Sequence, residues 1–340
     1  MSEPAAPVDY SQYKDRKAGL IVFGVIELMM GAFFALMVLL MLVNTLIMRN
    51  MRIEVAGMAM PWRNMIPSIM FYAFLTAWFV ILGTGSIRTR RWARALWLAS
   101  SWLLLVSGVT GMIGMAFIMP SMATQFMGSA ALPPESTGFL PAALIAIFVV
   151  ALFFYVIVPG IFIWFYGSKH VKATCEYLDP HVRWTDKCPV PVLAMVLATG
   201  GYVVILPMMG GYNWAVPFFG VVLSGWAGAG ITFFAMALLT YIAWGAYRLD
   251  MKAWWLAIIS VALLLTSVLL TFSRVELIGY YEAMDFPPEQ LELLRDFMIP
   301  SSSMFVLCAI WVVPFTVYFW YIRRYFVAGR QDGRGNAPEA

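Results

Sequence analysis

One acidic side chain stands inside an otherwise apolar run. Nine residues separate Glu27 from Lys17, the last basic residue before that run. Gly24 lies three positions before it and Gly31 four positions after it, so on a helix all three share one face. Small residues let a second helix approach closely, which predicts that this face packs on protein and not on lipid. No Lys or Arg stands at comparable depth in any apolar run. A low-dielectric setting without a cation favours the uncharged carboxyl. Acids inside a membrane mark proton or substrate paths by default. The plainer alternative is a protonated Glu that makes one interhelical hydrogen bond. Both roles stay open at this point.

Two further sets have metal-binding chemistry. Met112, Met115, Met119 and Met122 are spaced for one helix face. Thioethers are soft donors that suit Cu(I). No His or Cys joins them, and methionine also fills gaps between packed helices. The second set is His170, Cys175, His181 and Cys188, which gathers both histidines and two of the three cysteines. Two nitrogen and two sulfur ligands suit zinc, but the set has neither a C-x-x-C nor an H-x₃₋₅-H spacing. A disulfide is not expected, because the segment is predicted to face a reducing cytoplasm. No nucleotide-binding, serine-hydrolase or metalloprotease motif is present, and no apolar run holds a histidine or a pair of carboxylates. No cofactor and no enzymatic reaction are implied.

These side chains must be positioned by apolar helices. Of the 340 residues, 62% are hydrophobic and 12% charged. Soluble domains average about 25% charged residues, so the chain is a membrane protein. Eight spans are predicted, near 18–48, 68–87, 95–119, 140–166, 190–209, 227–247, 253–277 and 303–322. Pro159 predicts a kink in the fourth. The alternation at Arg52 to Val55 before Ala56-Gly57 predicts a small hairpin. Residues 211–226 are read as an interfacial or re-entrant piece. Asp285 ahead of Pro287-Pro288-Glu289 predicts a helix start, with Leu291, Leu294 and Phe297 on one face as an amphipathic cap. Ser100, Ser101, Ser107, Ser260, Thr266 and Ser267 can bond back to their own helix and need no function.

Alternating the loops across the bilayer puts 17 of the 22 Lys and Arg on the side of both termini. The positive-inside rule therefore predicts a cytoplasmic (inner) membrane location with both ends in the cytoplasm. The basic residues sit at helix ends and not on one patch, which argues against nucleic acid. The implied surroundings are a lipid bilayer, with a protein partner or a second copy of the chain.

The chain also repeats itself. Arg94 to Ala99 returns as Lys252 to Ala257, Gly85 and Arg88 as Gly245 and Arg248, and Pro133-Pro134-Glu135 as Pro287-Pro288-Glu289. Val158, Pro159, Phe165, Tyr166 and Lys169 return as Val313, Pro314, Trp320, Tyr321 and Arg324. Collinear matches predict two tandem four-helix repeats in the same orientation, related about the membrane normal. The expected division is an N-terminal tail at 1–17, a first repeat at 18–167, a linker at 168–188, a second repeat at 189–325 and a disordered tail at 326–340. The expected fold is thus an all-α polytopic membrane protein. Its poor polar pathway predicts a scaffold or accessory subunit. The duplicated halves and Glu27 suggest a carrier for a small solute or ion as the alternative, and Cu(I) handling through the methionines ranks below that.

Overall fold

The computed structural model describes residues 12–51, 62–128, 140–295 and 301–335. Among them, eight helical segments are long and apolar enough to cross a membrane. In chain order the elements are α1 Lys17–Met51, α2 Trp62–Ile87, α3 Arg91–Gly128, α4 Leu140–Leu152, α5 Val158–Tyr166, α6 Lys169–Leu178, α7 Val190–Ile205, β1 Val216–Phe218, β2 Val221–Leu223, α8 Gly225–Tyr247, α9 Met251–Phe272, α10 Leu277–Ala283, α11 Pro288–Arg295 and α12 Ser301–Gly335. The fourth span is α4 and α5 joined by a π turn, the fifth is α7 continued by a 3₁₀ turn to Tyr212, and the remaining spans are α1, α2, α3, α8, α9 and α12.

The helices converge at the end that carries most of the arginines. Leu20, Trp97, Tyr166, Leu193, Ile242 and Ile322 are all fully buried, and each lies near that end of a different helix. Further along, large side chains such as Leu39, Phe117 and Ile145 are exposed, as lipid-facing residues are. α3 is the central helix and touches α2, α5, α7 and α12. α1 lies along α2. A Cβ built on Gly24 would meet Ile87 Cγ1 at 2.6 Å and Gly83 O at 2.9 Å, and one on Gly31 would meet Val80 Cγ2 at 3.0 Å. The predicted glycine face is therefore the α1–α2 contact. Lipid tails supply no hydrophobic drive for helix association, so such close backbone packing must supply dispersion energy instead.

The turns between α2 and α3 and between α8 and α9 share one backbone plan. Thr89 (φ 54°) and Leu249 (φ 58°) both adopt the left-handed region. Arg90 N–H donates to Gly85 O at 2.9 Å, and Asp250 N–H to Gly245 O at 2.8 Å. A Cβ on Gly85 would come within 2.6 Å of Ala93 Cβ, and one on Gly245 within 2.6 Å of Ala253 Cβ. This geometry sets Ala93 against Ala253 and Trp97 against Ala257. The six-residue sequence match, which sets Trp97 against Trp255, is out of this register by two positions. The side chains agree with the shift: Trp97 is 1% exposed and Trp255 54%.

Pro159 breaks its helix in a specific way. A π turn, Phe153–Ile157, precedes α5. Proline has no N–H and crowds the carbonyl four residues back, here that of Tyr155. That carbonyl turns towards α3, where a Cβ on Gly108 would overlap it. The absence of a side chain at Gly108 is what permits the approach. Pro314, by contrast, lies inside an uninterrupted α12.

Residues 211–226, read as an interfacial or re-entrant piece, fold mainly as a hairpin. A 3₁₀ turn, Leu206–Tyr212, leads into a two-stranded antiparallel hairpin. Phe219 (φ 41°) and Gly220 (φ 103°) form its tight turn. Ser267 Oγ accepts from Phe219 N–H at 3.0 Å and donates to Pro217 O at 2.9 Å. Thr271 Oγ1 accepts from Gly220 N–H at 3.1 Å. One turn apart on α9, these two hydroxyls hold the hairpin. Ser267 is thus not a self-bonded helix serine, whereas Ser260 and Thr266 are, to Leu256 O and Ala262 O.

Three segments expected as linker or tail carry structure. Residues 168–188 are ordered by α6 and a short 3₁₀ turn, Trp184–Lys187. α12 extends to Gly335 with Phe326 fully buried, so 326–335 is helix and not a tail. The end of the N-terminal segment is docked: Lys14 N–H donates to His170 Nδ1 and Arg16 N–H to Thr174 Oγ1. Helix α11 starts at Pro288, as its proline and acidic first turn predict. The hairpin expected near Arg52 to Met60, the first Pro-Pro-Glu and Phe297 lie outside the described residues.

Candidate functional site

Glu27 is fully buried. Ten residues of α1 precede it, yet it is level with the last turn of α2, because α1 starts further out. Its Cβ is 3.2 Å from where a Gly83 Cβ would be. The expectation of a deep acid is therefore modified: the carboxyl sits near the basic ends of its neighbours. Tyr166, the last residue of α5, donates its hydroxyl to Glu27 Oε1 at 2.6 Å. Tyr166 Oη also lies 2.9 Å from Ser86 Oγ on α2. A phenol has one O–H, so once it serves Glu27 its oxygen is left to accept from Ser86. Ser86 and the indole of Trp97 also face the carboxyl. Glu27 Oε2 and Trp97 Nε1 have no hydrogen-bond partner among the described residues.

An aromatic shell encloses this group. Phe23 stacks on Phe165 at 4.1 Å, and Trp97 meets Phe162 edge-on at 4.9 Å and Phe79 at 5.3 Å. Glu27, Ser86, Trp97 and Tyr166 come from α1, α2, α3 and α5, so one polar cluster joins all four spans of the first half. Sequence reading picked out Glu27 with Gly24 and Gly31, but not its partners. Tyr166 and Ser86 each lie at the end of an apolar run, where tyrosine and serine are ordinary, and Tyr166 is 139 residues from Glu27.

The methionine stripe is a helix face on α3. Met112 is buried and Met115 and Met119 are half-buried, while the placement of the Met122 side chain is not described. The histidine and cysteine set does not come together. Among the described residues, no three His, Cys, Asp or Glu side chains are close enough to hold a metal ion. His170 is engaged by the Lys14 N–H, and both Cys175 and Cys188 are buried free thiols. Burial pushes each of these thiols up to about 12, so neither offers a thiolate near neutral pH.

The linker's acids serve the arginines instead. Asp179, 2% exposed, receives Arg183 Nη2 at 2.9 Å and lies 3.5 Å from Arg90 Nη1. The Arg91 N–H donates to its other oxygen at 3.4 Å. Burial alone would raise this carboxyl, but the Arg183 hydrogen bond, the Arg91 N–H and the nearby guanidinium charges outweigh it and hold Asp179 below the usual carboxylate range. Arg91 reaches Glu176 at 3.5 Å and Asp186 at 3.3 Å. The linker is thereby tied to the start of α3. A search of protein-family models, curated proteins and solved structures finds no match to this chain.

Proposed function

We propose that the protein is a non-enzymatic integral membrane protein that works as a scaffold or accessory subunit of a membrane complex. The observation that carries this reading is how Glu27 is employed. Its carboxyl takes the Tyr166 hydroxyl inside an aromatic shell and ties α1 to α5, with Ser86 extending the tie to α2. A transport acid needs access to water from at least one side, and this one is fully buried. In the same reading, the chain is oriented with both termini in the cytoplasm, and its halves are tandem four-helix repeats. The shared turn at Gly85 and Gly245 supports that duplication, in the register it sets. Native purification with mass spectrometry tests the function. A stoichiometric protein partner supports the scaffold, and a lone chain contradicts it.

A carrier is the second reading, and one observation favours it. Glu27 Oε2 is buried without a hydrogen-bond partner among the described residues, a cost that a proton or a bound solute would relieve. A purified chain that keeps a bound small solute, and no protein, supports this reading.

A further inference from the structure

A cavity of about 270 Å³ opens beside the α2–α3 turn, lined by Thr84, Gly85, Arg88, Arg90, Trp92 and Arg183. Three of its six lining residues are arginines. The guanidinium of Arg88 is exposed and has no acidic partner among the described residues. Arg90 and Arg183 share the single carboxylate of Asp179, and their side chains remain 42% and 34% exposed. Each guanidinium has five N–H donors, so most of the donors here are unused. Three positive charges against one shared negative charge leave the cavity about two charges positive at neutral pH. It lies at the ends of two spans, at the level where lipid headgroups sit, and Trp92 supplies the amphipathic ring common at that depth.

We propose that this cavity binds a phosphate group through Arg88, Arg90 and Arg183. Arginine forks match the oxygens of a phosphate monoester or diester, and a basic recess at a span end suits the headgroup of an anionic lipid. The same chemistry would accept free inorganic phosphate. The turn between α8 and α9 provides an internal contrast. On the same backbone plan, Asp250 replaces Arg90, and Arg248 lies 4.0 Å over the Trp244 ring. That turn has the shape without the cluster of three arginines, so it is not expected to bind.

The test uses the full chain, delipidated in neutral detergent. Native mass spectrometry measures retention of added phosphatidylglycerol against phosphatidylcholine, with millimolar inorganic phosphate as competitor. Phosphatidylglycerol should be retained preferentially. Arg88→Gln should weaken it about tenfold, the scale of one charge-assisted hydrogen bond. Arg248→Gln should change nothing. Arg183→Lys, which keeps the charge beside Asp179, should weaken it by a smaller factor. If inorganic phosphate fails to compete, the lipid is the source of the phosphate. If inorganic phosphate competes, the site reads the phosphate alone and takes either source. Equal retention of both lipids without a phosphate effect overturns the proposal, and so does an Arg88→Gln protein that binds like Arg248→Gln.

Discussion

The pair α1–α2 holds the first two spans and the pair α7–α8 the fifth and sixth, and the two pairs are held in different ways. In the first, glycines on both helices bring the backbones together, and a buried acid is tied down beside them. In the second, Gly200 and Gly201 of α7 have nothing within 4 Å of where a Cβ would be. The close approach is made by the loop after α7 instead: a Cβ on Gly228 of α8 would overlap the Trp214 carbonyl, and the Trp214 ring meets Phe233 of α8 at 5.4 Å. The ends of the two halves differ likewise. Tyr166 is buried on Glu27, whereas its sequence counterpart Tyr321 is 44% exposed and stacks under Arg324 at 4.1 Å. A buried carboxyl needs a donor and a sealed contact, and only the first half supplies both. The shared plan of the turns leaves side-chain chemistry free to diverge.

The largest expected effect comes from filling the α1–α2 contact. Gly24→Leu should cost about 3 kcal/mol or more, because the obstacle includes the Gly83 backbone and Ile87. Gly200→Leu should be close to neutral. Thermal unfolding in detergent checks both, and equal losses would erase the contrast between the pairs.

Next is the tyrosine pair. Tyr166→Phe removes the donor to Glu27 and the acceptor for Ser86, and should cost about 1–3 kcal/mol. Tyr321→Phe should stay within about 0.5 kcal/mol of wild type. A Tyr166→Phe protein as stable as Tyr321→Phe would remove the cluster's structural role.

The linker contact is smaller and depends on pH. The folded Asp179 carboxyl titrates below its unfolded counterpart. Its contribution is therefore complete above the usual carboxylate range and is lost as pH falls through the lowered folded value. Asp179→Asn should be less stable than wild type at neutral pH, and the gap should close in acid. A gap that stays constant down the titration would contradict the ion pairing.

The smallest effect concerns the hairpin. Ser267→Ala should cost about 1 kcal/mol and speed hydrogen exchange at Phe219. Ser260→Ala, which loses only a bond to its own helix, should change neither.

Spans were legible in the sequence because long uncharged runs have no other stable setting. The α1–α2 contact was legible for a similar reason, since glycine spacing states a close approach directly. Long-range polar pairing was not. Nothing local to Glu27 names Tyr166, and a tyrosine at a helix end is usually an interfacial anchor. The two-residue slip between the matched motif and the turn geometry has a physical origin too. Side chains at a basic helix end resemble one another for electrostatic reasons, so identity there does not fix which face is buried. The left-handed residues Thr89 and Leu249 do fix the turn, and neither is a type that advertises that conformation. The hairpin at 216–223 was hidden because its strands are three residues each and apolar, like the helices beside them.

The central claim, that Glu27 fastens helices and does not carry protons, is tested most directly with Glu27→Gln. Glutamine keeps the size and an oxygen for the Tyr166 hydroxyl but cannot ionise. One purified preparation serves for thermal unfolding and for acidification of proteoliposomes. The account predicts a change of about 1 kcal/mol or less, on the scale of an interhelical polar contact, with proton leak through the liposomes equal to wild type. A Gln variant that folds normally, and abolishes a proton flux the wild type sustains, would contradict it.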